Sequence, residues 1–296
     1  MSRRGFALFL AMGLIWGIPY LLIKVAVGAL SPATLVFLRT AIGALVILPF
    51  AFGSLRSGGL RALGRRWQWL AVYTLVEIAV PWWLLSDAEI RLPSALSGLL
   101  VATMPIVMAV LAALAGIESF SWRRGAGLGL GMAGVAVLLG PGLRGGDVGA
   151  ILEVGVVVLG YAIGPLIIAR KLADLKTLDV VAVTLLATAI GYLPAAIWEA
   201  PRKWPGFEVA GSVFILGVVC TGLAFLCFFA LIAEVGPTRS SLFIYLNPAV
   251  AVFLGVSLLH EPFSILTVAG FVLVLAGSAL AARRQTAAAR PAAPAA

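Results

Sequence analysis

Four charged side chains stand inside otherwise apolar stretches of this 296-residue chain: Lys24, Arg39, Glu77 and Glu153. A charge at the centre of a hydrocarbon layer costs on the order of 3 kcal/mol even on lenient insertion scales, so such a group faces a cavity or a partner. Arg39 is suited to attract a carboxylate, and Glu77 to meet an amine or take up a proton. Two rows at i, i+4, i+8 spacing set aromatic rings beside charges: Trp69, Tyr73 and Glu77 in one segment, Trp16, Tyr20 and Lys24 in another. Trp16 and Tyr73 are candidates to contact the apolar part of a bound molecule, and Tyr161 is a further lining candidate. Asn247, beside a proline in mid-segment, needs a polar partner there. Trp69, Trp82 and Trp83 are assigned to packing or to the interfacial belt where tryptophan concentrates. The rival use of the charges is an internal Arg39–Glu153 ion pair that braces the helices, while Lys24 is expected to snorkel to an interface.

This is chemistry of recognition, not of bond making. The single histidine, His260, lies at a segment end, and the chain has no His-Glu-x-x-His, no paired intramembrane aspartates and no Gly-x-Ser-x-Gly. No catalytic residue, metal site or cofactor is expected.

The elements that must position these residues are set by composition. With 62% hydrophobic and 11% charged residues and a mean hydropathy of +1.12, the chain cannot cover a soluble globule with polar surface and belongs in lipid. Ten hydrophobic segments run at about 6–27, 32–52, 67–88, 93–115, 123–140, 148–169, 178–198, 209–231, 238–258 and 263–282, most reaching the length of about 20 residues that spans hydrocarbon. The first is read as a retained span, since no small-residue cleavage site follows it. Placing the N-terminus in the cytoplasm puts fifteen Lys/Arg on inside connections against four outside, Arg91, Arg144, Arg202 and Lys203. That bias predicts cytoplasmic termini. The net charge of +9 is thereby a topology signal, not a nucleic-acid patch. Cys220 and Cys227 are about 10 Å apart on one helix and cannot bridge. Residues 284–296, rich in Ala and Pro, are expected to be a disordered cytoplasmic tail.

The chain is also duplicated. Pro105, Glu118, Gly127 and Gly134 recur as Pro248, Glu261, Gly270 and Gly277 at a constant offset of 143, and Gly13, Gly17 and Thr-Ala-Ile-Gly at 40–43 recur as Gly160, Gly164 and 188–191. Five segments per half forces the second half to enter from the opposite side. The predicted fold is all-α integral membrane: ten transmembrane helices as two inverted five-helix repeats, residues 1–140 and 141–283, with a site near the midplane where they meet. Pro105 and Pro248 are expected mid-helix, freeing the carbonyls of Val101 and Ile244. Glu118 and Glu261 are expected to complement the N-terminal dipoles of the fifth and tenth helices. The glycines at four-residue spacing read as packing faces.

This signature resembles the EamA-type transporters of the drug/metabolite transporter superfamily over residues 5 to 282; Trp16-Gly17 and Arg39 also look like positions common in the family. Arg39 has no counterpart in the second half, where Ala187 stands. The resemblance implies a multi-pass carrier of the bacterial inner membrane, often an exporter of amino acids or related metabolites, working by alternating access. Its partners would be a small-molecule substrate, membrane lipid and protons as a coupling ion, with no nucleic acid. Efflux of drugs or hydrophobic cations, or carriage of a sugar phosphate or nucleotide sugar, are the alternatives.

Overall fold

The computed structural model describes residues 2–114, 122–142, 147–236, 240–262 and 264–282, and among these every regular element is helical. Eight helices are long and apolar enough to cross a membrane: helix 1 (Arg3–Ala26), helix 2 (Pro32–Arg65), helix 3 (Trp67–Arg91), helix 4 (Ser94–Leu111), helix 6 (Val148–Lys171), helix 7 (Thr177–Trp198), helix 8 (Phe207–Val235) and helix 9 (Leu242–Leu259). Helix 5 (Trp122–Gly142) and helix 10 (Ile265–Ala282) carry shorter apolar stretches, at Gly125–Leu138 and Ile265–Leu280. Local signals start several of them. Ser2, Ser31 and Asp147 each accept a hydrogen bond from a first-turn N–H, at Gly5, Thr34 and Ala150, and Pro32 occupies the first turn of helix 2, where its missing donor costs nothing.

The duplicated glycines meet one another. A Cβ on Gly134 would come 2.7 Å from the Val274 nitrogen and 2.9 Å from the Gly270 carbonyl oxygen, and one on Gly277 would come 2.7 Å from the Gly127 carbonyl oxygen. Exchanging the halves turns the first contact into the second, as a twofold relation between helices 5 and 10 requires. Helices 2 and 7 lie along each other in the same manner. Their repeated threonines, Thr40 and Thr188, each return the hydroxyl to the carbonyl four residues back, at 2.7 and 2.8 Å.

Helices 4 and 9 are broken, although not as the prolines alone predict. Helix 4 divides between Val101 and Met104, and helix 9 changes from a tight 3₁₀ turn at Ser241–Tyr245 to an α-helix at Asn247. Pro105 and Pro248 are therefore first-turn residues of new segments rather than mid-helix kinks, a position that suits a residue without an N–H. The carbonyl this break turns outward is that of Ala102, which accepts the Ser278 hydroxyl of helix 10 at 3.0 Å. Helices 3 and 8 carry a second irregularity, a π turn at Thr74–Ala79 and another at Val218–Leu223, offset by 144 residues.

Packing between the halves is uneven along the bundle axis. Calling the face that bears Arg3 the near face, helix 3 lies closely against helix 6 over its far part, Val80–Arg91, and diverges from it over Trp67–Tyr73. The far face is tied shut. Glu261 accepts from the Ser94 and Ala95 N–H groups at 2.6 and 2.9 Å, so this carboxylate caps helix 4 of the opposite half and not helix 10, as its sequence neighbourhood had predicted. Lys24 does not snorkel: its ammonium donates to the carbonyls of Glu89 and Leu92 at 2.6 and 2.9 Å, capping the end of helix 3. Glu118 and the tail lie outside the described residues.

Candidate functional site

Helix 2 carries Arg39 inward, where it is only 7% exposed. Its Nε donates to the Thr221 hydroxyl at 3.0 Å, and its guanidinium carbon lies 3.7 Å from the centre of a Trp82 ring. Thr221 projects from the π turn of helix 8 and is admitted by Gly43: a Cβ there would stand 2.5 Å from the threonine methyl. Tyr20, Tyr161, Cys220 and Glu89 surround the guanidinium within Coulombic reach. Among the described residues no carboxylate lies within 4 Å of it. A buried guanidinium bears a desolvation cost that one hydroxyl and one ring only partly offset, and most of its donors are free for a ligand.

Glu77 occupies the matching π turn of helix 3. Its carboxylate presses into the groove left by Gly164 on helix 6, and Oε2 is enclosed with no hydrogen-bond partner. Tyr73, one turn away, faces it. Tyr161 joins the two charges, lying within reach of Arg39, Glu77 and Glu89 and beside Trp82. Four of the sequence candidates, Arg39, Tyr73, Glu77 and Tyr161, are thus brought near one another at the seam between the halves.

The other two lie nearer the near face. Trp16 sits at the break of helix 1, with ring centroids 5.2 to 5.9 Å from Phe228, Phe243 and Phe225. Asn247 begins the second segment of helix 9. Its backbone carbonyl packs on Gly17 and its Oδ1 is enclosed without a partner. Phe225 and Phe229 pack against the same buried cluster as Tyr161 and so connect this aromatic nest to the charged site.

Two expectations are corrected and a third is narrowed. Glu153 pairs with Arg91 at 2.6 Å, not with Arg39, because five residues into helix 6 it is still at the far end of the bundle. Of the two uses offered for Trp82, packing is the one seen: it is buried over Arg39, while its neighbour Trp83 and Trp69 keep exposed positions. Glu89, completely buried on helix 3, and Asp179, bonded to the Ser54 hydroxyl at 2.6 Å, are further intramembrane or membrane-edge acids that the sequence reading passed over. No group of three or more His, Cys, Asp or Glu among the described residues is arranged to hold a metal ion.

Eight membrane-length helices around a buried, unpaired charge at a seam between duplicated halves define a multi-pass membrane protein of the transporter class. The pattern of the EamA-like transporter family matches residues 3–140 and again 149–283, and the chain belongs to that family. It is 26% identical over 275 residues to "Uncharacterized transporter YvbV" of Bacillus subtilis (strain 168), covering 91% of this chain and 88% of that protein. It is 27% identical over 268 residues to "Uncharacterized inner membrane transporter YedA" of Escherichia coli (strain K12), covering 88% and 84%. A crystal structure superposes with a TM-score of 0.67 over 96% of this chain and all of its own, at 24% identity, which establishes likeness of fold alone.

Proposed function

We propose that the protein is a secondary transporter of the bacterial inner membrane, both termini cytoplasmic, that exports amino acids or related small metabolites by alternating access. Residues 1–140 and 141–283 are the two repeats that move about the central site. The observation that carries this reading is the buried Arg39 guanidinium without a carboxylate within 4 Å. A solute carboxylate completes it with two parallel hydrogen bonds. Glu77 meets the solute amine, Tyr73 and Tyr161 frame the space between, and Trp16 with its phenylalanines receives an apolar side chain from the near face. Asn247 offers an amide at that end. Lys24, the other intramembrane cation among the described residues, is committed to backbone carbonyls, so a single negative charge on the solute fits better than a sugar phosphate. Efflux of a hydrophobic cation is the second reading, favoured by Glu77 beside so many aromatic rings.

The test is transport by folded, correctly inserted Arg39→Ala and Glu77→Gln proteins, with the solute found by which amino acids or toxic analogues become tolerated on overproduction. Arg39→Ala is expected to lose about 100-fold or more in transport efficiency, the order of effect when one partner of a buried charge pair is removed. Unchanged export by both variants overturns the reading. Loss in Glu77→Gln alone, with cation efflux affected, selects the second.

A further inference from the structure

Glu89 lies within Coulombic reach of Arg39 and Tyr161 but bonds to neither: it is completely enclosed, and neither of its carboxylate oxygens has a hydrogen-bond partner. It lies in the last turns of helix 3. The ionisable groups around it come from every neighbouring element that has one: Tyr20 and Lys24 of helix 1, Arg39 of helix 2, Tyr161 of helix 6, and Glu261 after helix 9. Helix 4 brings only hydroxyls, Ser94 and Ser97, whose oxygens are likewise enclosed and unpartnered. Lys24 is close, but its three ammonium donors go to the carbonyls of Glu89, Leu92 and Ile90, at 2.6, 2.9 and 3.4 Å, rather than to the carboxylate.

An ionised carboxylate with no donor is not sustained in a dry interior, so this packing suits the neutral acid. Loss of the proton creates a demand for a donor that Lys24 can meet only by leaving the carbonyls that end helix 3. Those carbonyls stand where the chain turns into helix 4, whose first N–H groups are held by Glu261. We propose that Glu89 is a proton-operated latch on the far face. Protonated, it leaves Lys24 on the helix 3 carbonyls and the face stays shut; deprotonated, it draws Lys24 away and frees the turn between helices 3 and 4 to open the central site. The latch deepens the alternating-access reading and rests on it, naming the ion: a proton rebound from the far side closes the face behind a departing solute.

Cys220, buried beside Arg39, is a native reporter. In a Cys227→Ser background reconstituted in one orientation, a membrane-impermeant thiol reagent applied to the far side reaches Cys220 only when that face opens. With Glu89 intact, labelling is expected to rise with pH, by up to about tenfold per unit because the protonation ratio changes tenfold. Glu89→Gln should be slow and Glu89→Asp should retain the response. Reagent ionisation and thiol ionisation affect all proteins alike, so the ratio of variant to parent is read. A Glu89→Gln protein that follows the parent profile overturns the latch. Should Glu89→Gln not insert, Lys24→Met takes its place: labelling at all pH values supports the latch, and far-side protection equal to the parent overturns it. No solute is present in these measurements. Their failure therefore leaves the Arg39 transport test standing, and failure of that test leaves the latch to be judged by labelling alone.

Discussion

Helices 3 and 8 contain the same backbone irregularity 144 residues apart and fill it with different chemistry: Glu77 in the π turn of the first half, Thr221 in that of the second. A π turn inserts one extra residue and rotates the following side chains, a device found often at functional sites. Each inserted side chain is received by a glycine of the opposite half, Glu77 by Gly164 and Thr221 by Gly43. The receiving glycines are not equivalents. Gly17, the counterpart of Gly164, takes Val250 and the Asn247 carbonyl, and Gly191, the counterpart of Gly43, faces open space. The duplication kept the backbone device while the first half came to hold the acid and the second a hydroxyl that accepts from an arginine of the first. The arrangement has polarity, with an acid in one π turn and an arginine bonded to the hydroxyl of the other.

The comparison breaks most decisively if the turns are made alike. Thr221→Glu puts a carboxylate where a hydroxyl now lies 3.0 Å from the Arg39 Nε. The resulting internal pair occupies the Arg39 guanidinium, and solute transport is expected to fall about 100-fold or more while the protein stays folded, since a buried charge gains a partner. Transport assays with size-exclusion profiles of purified protein check both parts. Normal transport would mean that Arg39 is not where the solute binds.

How much of this was legible in advance depended on whether the signal was local. Apolar length and the 143-residue recurrence gave ten helices in two halves, because lipid demands continuous apolar stretches and duplication preserves spacing. Arg39 and Glu77 were visible as charges far from any segment end. Glu89 was not, since Asp87 and Arg91 flank it and the three together read as a polar end; only the packing of helices 1, 2 and 6 shows that one of them turns inward. Adjacent helical residues point about 100° apart, so of Trp82 and Trp83 only one can face lipid. The sequence does not say which. The π turns left no mark at all, because they are made by what the opposite half presses against helices 3 and 8. Depth near a helix end was not readable to within a turn, which is why Glu153, still at the far end of helix 6, was paired with the wrong arginine.

Glycine substitutions sharpen the contrast at intermediate size. Gly164→Ala drives a methyl into the Glu77 carboxylate, with even the Glu77 Cβ at 3.0 Å. The acid must leave its groove, and transport should fall about tenfold, the order expected for a misplaced catalytic or binding group. Gly191→Ala meets nothing within 4 Å on an exposed helix face. There the alanine should raise thermal stability by up to about 1 kcal/mol through helix propensity, with transport unchanged. Equal damage from both would show that the receiving-glycine argument is wrong.

The smallest effect is expected where charges are exposed, and it separates the two faces. On the near face, among the described residues, a single pair, Arg66 with Asp174 at 3.2 Å, joins the connections. On the far face Arg91 gathers Asp87, Asp147 and Glu153. Hydrogen bonds from Arg91, then from the Ala150 N–H, hold the Asp147 carboxyl below its ordinary range. A carboxylate whose folded value is depressed contributes its stability above the unfolded value of about 3.9 and loses it as pH falls through the folded value. Asp147→Asn should therefore lower Tm slightly at pH 7 and low salt. The difference should shrink in high salt, which screens exposed charges, and vanish as acid titrates the parent. A difference that persists in salt and acid would assign Asp147 a packing role at the start of helix 6 in place of an electrostatic one.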